Sequence, residues 1–502
     1  MKASAHHTSV VLGADVEGLA AAATLAQAGR SVRVLDAREH AGGLAAVVEL
    51  APGHVVPGLF NECALVRRSL LAGLALEGAG LRWRASEGAL HVLSGAEEPL
   101  VVERGAANVE SEAYASWRGL LDRVGGLIAD VLDDAPPEAV DPGLGDLLGL
   151  ARTGFRLRAL GNADMRELLR IVTMPAWDWT GENFRSEALR AALIAPVLAG
   201  TVLGPRAAGT TAMILMFEAA RGVEPEGGTG ALAAALVRRC EELGVDLQLG
   251  TGAQEILIDE GAVTGVRCTD GALVECEQVL SALDPAHTLL DLVEPGLVPG
   301  HVEAELLGWR RRGSSALHLL ALGRTPHALS DERIERFVTA TSPTTLERAA
   351  DALKYGVLPE EPWLDVRVWR AGAQAPQGGL TLCAHVHGVP HALGNGWDDG
   401  ARRSLRERTL AALEQAVPGA REAITADELL TPVDLERRFG HPGGHLHLGE
   451  QALDQLWIQR PALALSRYGT PFAGLHLGGA GSHPGGPYLG GAGILGARAA
   501  LR

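Results

Sequence analysis

Apolar and polar positions along the chain fall into a few repeating figures. Residues 8–12 are a short β-branched and apolar run, the pattern of a buried parallel strand, ending at Gly13-Ala-Asp-Val-Glu-Gly18. Residues 19–28 are rich in Ala and Leu and predict a helix, which Gly29 stops. Residues 31–35 predict a second strand, closing on Asp36. Further on, Gly227-Gly-Thr-Gly230 opens a helix over 231–243, followed by a strand at 244–249 and three short runs at 255–259, 262–267 and 271–275 that read as a β-meander. Residues 278–285 predict a strand running into a loop, and 474–502 a strand, a glycine-rich loop and a helix. Between these pieces, about 100–222 reads as mainly helical and about 296–432 as mixed strands and helices.

The first figure is a compact βαβ unit with an acid 18 residues beyond the last glycine of its turn. Gly13 permits the tight turn, Gly18 lets the helix pack close to the strand, and the helix start offers N–H groups and partial positive charge to a diphosphate. Asp36 is placed to accept hydrogen bonds from an adenosine ribose and to repel a 2′-phosphate. The middle glycine of the fingerprint is replaced by Asp15, and Glu17 adds a second acid. Two like charges at ~5 Å and an effective dielectric of ~20 repel by roughly 3 kcal/mol, so the turn disfavours an anionic cofactor unless Asp15 swings to solvent or an arginine lies near. The C-terminal helix start is a second anion-favouring site.

Composition narrows the class. Hydrophobic residues make up 47% and charged residues 21%, which is globular, and a net charge of −17 excludes a general nucleic-acid binder. Cys63, Cys240, Cys268, Cys276 and Cys383 form no C-x-x-C pair and read as reduced core thiols, which removes the support for a disulphide-reductase mechanism. Neither a signal-peptide run nor an apolar stretch of ~18 residues is visible, so a cytoplasmic compartment is expected. Residues 147–174 are Leu-rich with Arg152, Arg156, Arg158, Arg166 and Arg170 interspersed: a cap helix with a solvated arginine face, or a peripheral membrane contact. His385-Val-His387 with His391 has metal-ligand spacing, yet a strand over 381–389 sets His385 and His387 on one face, as sheet surface, core or substrate lining; no metal is expected. His445 and His447 read the same way, and His483, in the last glycine loop, as structural. Trp177 and Trp179 read as ordinary packing or as lining of the cap.

The acid followed after five residues by Gly42-Gly43, together with Gly227-Gly-Thr-Gly230, Val279-Leu-Ser-Ala-Leu-Asp-Pro285 and Gly481-Ser-His-Pro-Gly-Gly486, resembles the phytoene dehydrogenase and carotenoid desaturase-related flavoproteins. Asp434-Leu-Glu-Arg-Arg-Phe-Gly-His-Pro-Gly-Gly-His445, Leu453-Asp-Gln-Leu-Trp457 and Gly204-Pro-Arg-Ala-Ala-Gly209 resemble more narrowly the pyridine nucleotide-disulphide oxidoreductase domain subgroup. The likeness runs from about residue 8 to 502. It implies an α/β fold: a Rossmann-type FAD-binding domain (1–100, 223–295 and 433–502) with an inserted, discontinuous α+β substrate or cap domain (101–222 and 296–432). It implies FAD held by Gly13, Gly18, Asp36, Gly42, Gly43, Gly479, Gly481, Gly491 and Ala492. Ala253 departs from the Val usual in the family where the backbone meets adenine.

The expected activity is FAD-dependent dehydrogenation or desaturation of an apolar, isoprenoid or carotenoid-like substrate, whose C–H bond lies against the flavin in a tunnel under the cap. Such a step needs position and dryness more than a side-chain base, so no catalytic residue is named. No second dinucleotide fingerprint is present, which leaves oxygen or a quinone as the electron acceptor. The rivals are a cofactor-poor binding or scaffold protein, motivated by Asp15 and Ala253, and a lipid carrier.

Overall fold

The computed structural model describes residues 9–85, 89–95, 98–138, 142–370, 372 and 378–502. Thr8, expected to begin the first strand, lies outside them.

The first apolar run forms the strand Ser9–Leu12, buried at all four positions, and the helix Val16–Gln27 carries the chain over to the parallel strand Val32–Asp36. Gly29, at φ +88°, ends that crossover in the left-handed region glycine enters without strain. These two strands sit in a five-stranded parallel sheet whose order is 475–477, 278–281, 9–12, 32–36, 246–249. The register aligns Ser9 with Val32 on one side and with Gln278 on the other. All five strands therefore deliver their carboxyl ends to one edge, where ligands bind in open α/β sheets.

The predicted meander is an antiparallel sheet of Ala253–Asp259, Ala262–Cys268 and Leu273–Glu275. The helix after the glycine segment runs Gly228–Glu242, starting inside that segment because Gly227, at φ +85°, turns the chain into it. All five cysteines are free and buried.

The larger sheet has seven strands in the order 424–430, 315–322, 380–387, 364–370, 336–338, 90–92, 100–102. Leu90–Val92 and Leu100–Val102 form a hairpin of this sheet, so the division expected after residue 100 falls inside one of its strands. Helices within 111–220 pack beside it around one apolar cluster that includes Trp117, Trp179 and Phe184. Trp179 meets Trp117 at 5.3 Å, while Trp177 lies under the Arg206 guanidinium at 3.9 Å.

The Arg-rich stretch is two helices, Leu144–Ala159 and Gly161–Ile171. No residue of the first is buried; Leu144 is 81% and Phe155 74% exposed. Among the described residues no helix is long and apolar enough to cross a membrane.

Candidate cofactor site and substrate chamber

The carboxyl edge of the parallel sheet gathers the expected cofactor residues from four segments. Gly13 follows the first strand at φ +97°, and a Cβ on Gly18 would lie 1.9 Å from the Gly13 carbonyl oxygen. Gly42, at φ +105°, donates its N–H to the Ala14 carbonyl at 2.7 Å, and a Cβ on Gly43 would meet the Arg38 guanidinium at 2.7 Å. From the C-terminal loop, a Cβ on Gly479 would lie 2.2 Å from the Ala282 carbonyl oxygen and one on Gly481 2.3 Å from the Pro285 ring. Gly491 and Ala492 are buried in the first turn of the last helix, Gly491–Ala500.

Both acids of the first turn are absorbed by helix starts. Asp15 is the N-cap of the first helix, its Oδ1 accepting the Gly18 N–H at 2.9 Å. Asp and Asn favour that place because they satisfy an N–H that the helix leaves unpaired. Burial raises its carboxyl above the ordinary range, against the attraction of Arg38. Asp15 thus turns into the helix, not toward solvent, and an arginine does stand near. Glu17, 3% exposed, accepts the N–H groups of Gly490 and Gly493 at 2.7 Å each. Burial pushes its carboxyl up to about 8.

The expected open N–H groups are in part taken at both helix starts: Gly18 N, Gly490 N and Gly493 N already have carboxyl partners. The buried cation of the C-terminal loop region is Arg460, fully buried, which donates to the Ala480 carbonyl at 2.8 Å and lies beside Gly485. Burial lowers it to about 9.

Asp36 accepts the Ala14 N–H at 2.6 Å and the N–H, Nε and NH2 groups of Arg38 at 2.8, 2.9 and 2.5 Å. Burial alone would raise its carboxyl; the hydrogen bonds and charge of Arg38 outweigh it and hold the group below the ordinary range. Arg38 was not singled out from the sequence, although its place two residues after the acid was the available signal.

A hollow at this edge, about 360 Å³ with open space included, is bordered by Asp15, Glu17, Gly42, Leu44, His441 and Gly486. It shares Phe60 with a chamber of about 600 Å³, open space again included. The chamber wall is apolar over Phe60, Leu65, Val197, Met213, Met216 and Phe217. Its polar side is Asn61, Glu62, Arg336, Asp365, His385 and Gln451. Arg336 is bidentate to Asp365 at 2.9 and 2.7 Å and also pairs with Glu62. The chamber shares Glu62, Pro196, Phe217 and Arg336 with a larger cleft of about 1620 Å³, open space included, in which Arg84 and Arg367 pair with Glu224 and Glu335. The apolar-walled chamber thus borders a cleft of ion pairs.

The histidines divide. His385 lines the chamber, hydrogen-bonded to the Leu59 carbonyl at 2.7 Å. His387 stacks on Trp363 at 3.8 Å, and His391 turns away to Glu436 at 2.6 Å. His447 stacks on Phe60 at 5.9 Å, and burial lowers its ring pKa far enough that it is neutral. His483 is a buried strut to the Val131 carbonyl at 2.8 Å.

Several buried polar atoms around this junction lack a partner: Asn61 Oδ1, His447 Nδ1, Gln451 Nε2 and Arg460 Nε. Gln451 and Arg460 stand where Cβ atoms on Gly486 and Gly485 would collide with them, so both flank the C-terminal loop. Unpaired buried donors beside a glycine cradle fit the carbonyl-bearing edge of a flavin.

A family model for an NAD(P)-binding Rossmann-like domain matches residues 11–61, and one for flavin containing amine oxidoreductase matches residues 178–501. The chain is similar to pyridine nucleotide-disulfide oxidoreductase domain-containing protein 2 of Mus musculus, 26% identical over 545 residues, covering 99% of this chain and 93% of the relative. It is also similar to hydroxyneurosporene desaturase of Cereibacter sphaeroides, 28% identical over 503 residues, covering 95% and 93%. Among solved structures, a wild-type putrescine oxidase bound to putrescine superposes with TM-score 0.61 at 18% identity, covering 99% of this chain and 98% of that one, which shows the shared fold.

Proposed function

This chain belongs to the flavin-containing amine oxidoreductase family, is an oxidoreductase and has FAD as its cofactor, and from that premise we propose that it withdraws a hydride from a C–H bond of a largely apolar substrate held in the chamber behind Phe60. The observation that carries the reading is the junction itself: a hollow bordered by Gly42 and Gly486 at the carboxyl edge of the parallel sheet and an apolar-walled chamber are both lined by the ring of Phe60. Similarity to a carotenoid desaturase supports an apolar, isoprenoid-like substrate.

In this reading Gly13, Gly18, Asp36, Gly42, Gly43, Gly479, Gly481, Gly491 and Ala492 surround the cofactor, and the chain divides into an FAD-binding and a cap domain. FAD, when bound, would supply the acceptor for the hydride, and the neighbouring hydrogen of the dehydrogenated bond would leave as a proton to solvent. The protein's own part is to hold that bond in place and keep water out; the rings of Phe60 and His447 and the side chains of Met213 and Met216 do the latter. His447 and His385, both kept neutral by burial, add no positive charge that would oppose loss of a hydride. Oxygen or a quinone then takes the electrons. The exposed stripe of Leu144, Leu147, Leu148 and Phe155, with Arg152 beside it, would rest on an anionic membrane surface, a source of apolar substrate.

The visible absorption spectrum of the purified protein tests the proposal. Flavin bands near one equivalent per chain, bleached anaerobically by an apolar donor and restored by air or a quinone, are expected. A colourless protein that ignores added FAD overturns it.

A further inference from the structure

The chamber holds one feature that a bare hydrocarbon leaves unanswered. Asn61 is 2% exposed and lines the chamber. Its Nδ2 donates to the backbone carbonyl of Asp365 at 2.6 Å. A carbonyl oxygen can only accept, so the amide orientation is set by chemistry: the NH2 end faces Asp365 and the oxygen end is left over. That oxygen is buried and has no partner. Buried acceptors are normally satisfied.

Asn61 also differs from the other unpartnered groups in where it is anchored. Gln451 and Arg460 flank the C-terminal glycine loop, on the cofactor side. Asn61 is tied to Asp365, on the strand Leu364–Arg370 of the larger sheet, whose carboxylate holds Arg336 at the border of the charged cleft. Substrate entering through that cleft passes the Glu62–Arg336 pair before reaching the apolar wall.

We propose that Asn61 is a specificity-determining residue: its Oδ1 receives a hydrogen bond from an O–H or N–H group of the substrate, so the substrate is amphipathic, with an apolar body against Met213, Met216 and Phe217 and a donor-bearing end at Asn61. This deepens the reading above and rests on it. The ion pairs of the adjoining cleft are consistent with such a molecule, because they can exchange hydrogen bonds with a polar end as it loses water, which a hydrocarbon cannot use.

The test is calorimetric titration of the purified, flavin-loaded protein with three octyl-chain probes: 1-octanol, octylamine and 1-methoxyoctane. The ether can only accept hydrogen bonds, and the first two separate an O–H from an N–H preference. At least one donor probe should bind ~10-fold or more tighter than the ether. Asn61→Leu, with unchanged flavin spectrum, should abolish the difference while leaving ether affinity within about twofold. Equal affinity for all three probes in the wild-type protein overturns the assignment, as does failure of both donor probes to bind, or a preference that persists in Asn61→Leu. The wild-type comparison stands even where the variant fails to fold. A protein that takes up no flavin refutes the oxidoreductase reading alone, since the same titration run on the flavin-free protein still reads the donor preference of the chamber.

Discussion

Glu17 and Gly490, 473 positions apart, are joined by a hydrogen bond of 2.7 Å from the Gly490 N–H to the Glu17 carboxylate, and the other oxygen of that carboxylate takes the Gly493 N–H. The start of the last helix is thereby tied to the first helix, next to the edge where the cofactor is proposed to lie.

Removing that tie leaves two N–H groups of a buried helix start unpaired. Glu17→Ala should cost about 2–4 kcal/mol in urea unfolding. A loss below about 0.5 kcal/mol would mean that water replaces the carboxylate.

The same residue sets a pH dependence. Burial raises the folded-state carboxyl from 4.5 to about 8, so between those values the unfolded chain has shed a proton that the folded one keeps. Stability attributable to Glu17 is therefore present below about pH 4.5 and is lost as pH rises to about 8. Glu17→Gln should flatten that part of the stability–pH curve, and an unchanged slope would show that the group stays ionised against the two N–H donors.

Asp15 separates charge from capping. Asp15→Asn keeps an oxygen for the Gly18 N–H and removes the negative charge, so FAD should bind about tenfold tighter by flavin-fluorescence titration, with Tm nearly unchanged. Asp15→Gly should show the same tightening with a loss of a few tenths of a kcal/mol. Unaltered affinity in both would mean that Arg38 already cancels the charge.

Arg336 compensates two buried carboxylates, those of Glu62 and Asp365. Arg336→Met should destabilise by about 3–5 kcal/mol, and Asp365→Asn added to it should recover part of the loss. Additive losses in the double variant would contradict a shared ion-pair cluster.

Acid should unfold the protein through its buried imidazoles. Burial lowers His441 and His483 from 6.5 to about 4. Below 6.5 the unfolded chain binds protons that the folded one refuses, so stability falls as pH drops from 6.5 to about 4. His483→Gln, which can still donate to the Val131 carbonyl, should reduce that slope by about one proton. The full slope in the variant would place the titration elsewhere.

The local figures were legible because they depend on neighbours a few residues apart. The apolar runs at 8–12 and 31–35, the glycine at 13, the Ala-rich crossover and the meander at 255–275 are short-range steric and hydrophobic choices, and the structure carries them within about three residues at their boundaries. Asp36 could be placed at a strand end for the same reason. The partners of the polar groups could not. Glu17 read as a second repelling acid until the last helix was docked against it, Asp36 read as open until Arg38 closed on it, and Asn61 carried no signal until the carbonyl of Asp365, 304 positions away, fixed which end of its amide was free. Hydrophobic periodicity is written along the chain, whereas a buried hydrogen bond is decided by which distant backbone happens to be brought within 3 Å, and that is known only once the sheets and helices have packed.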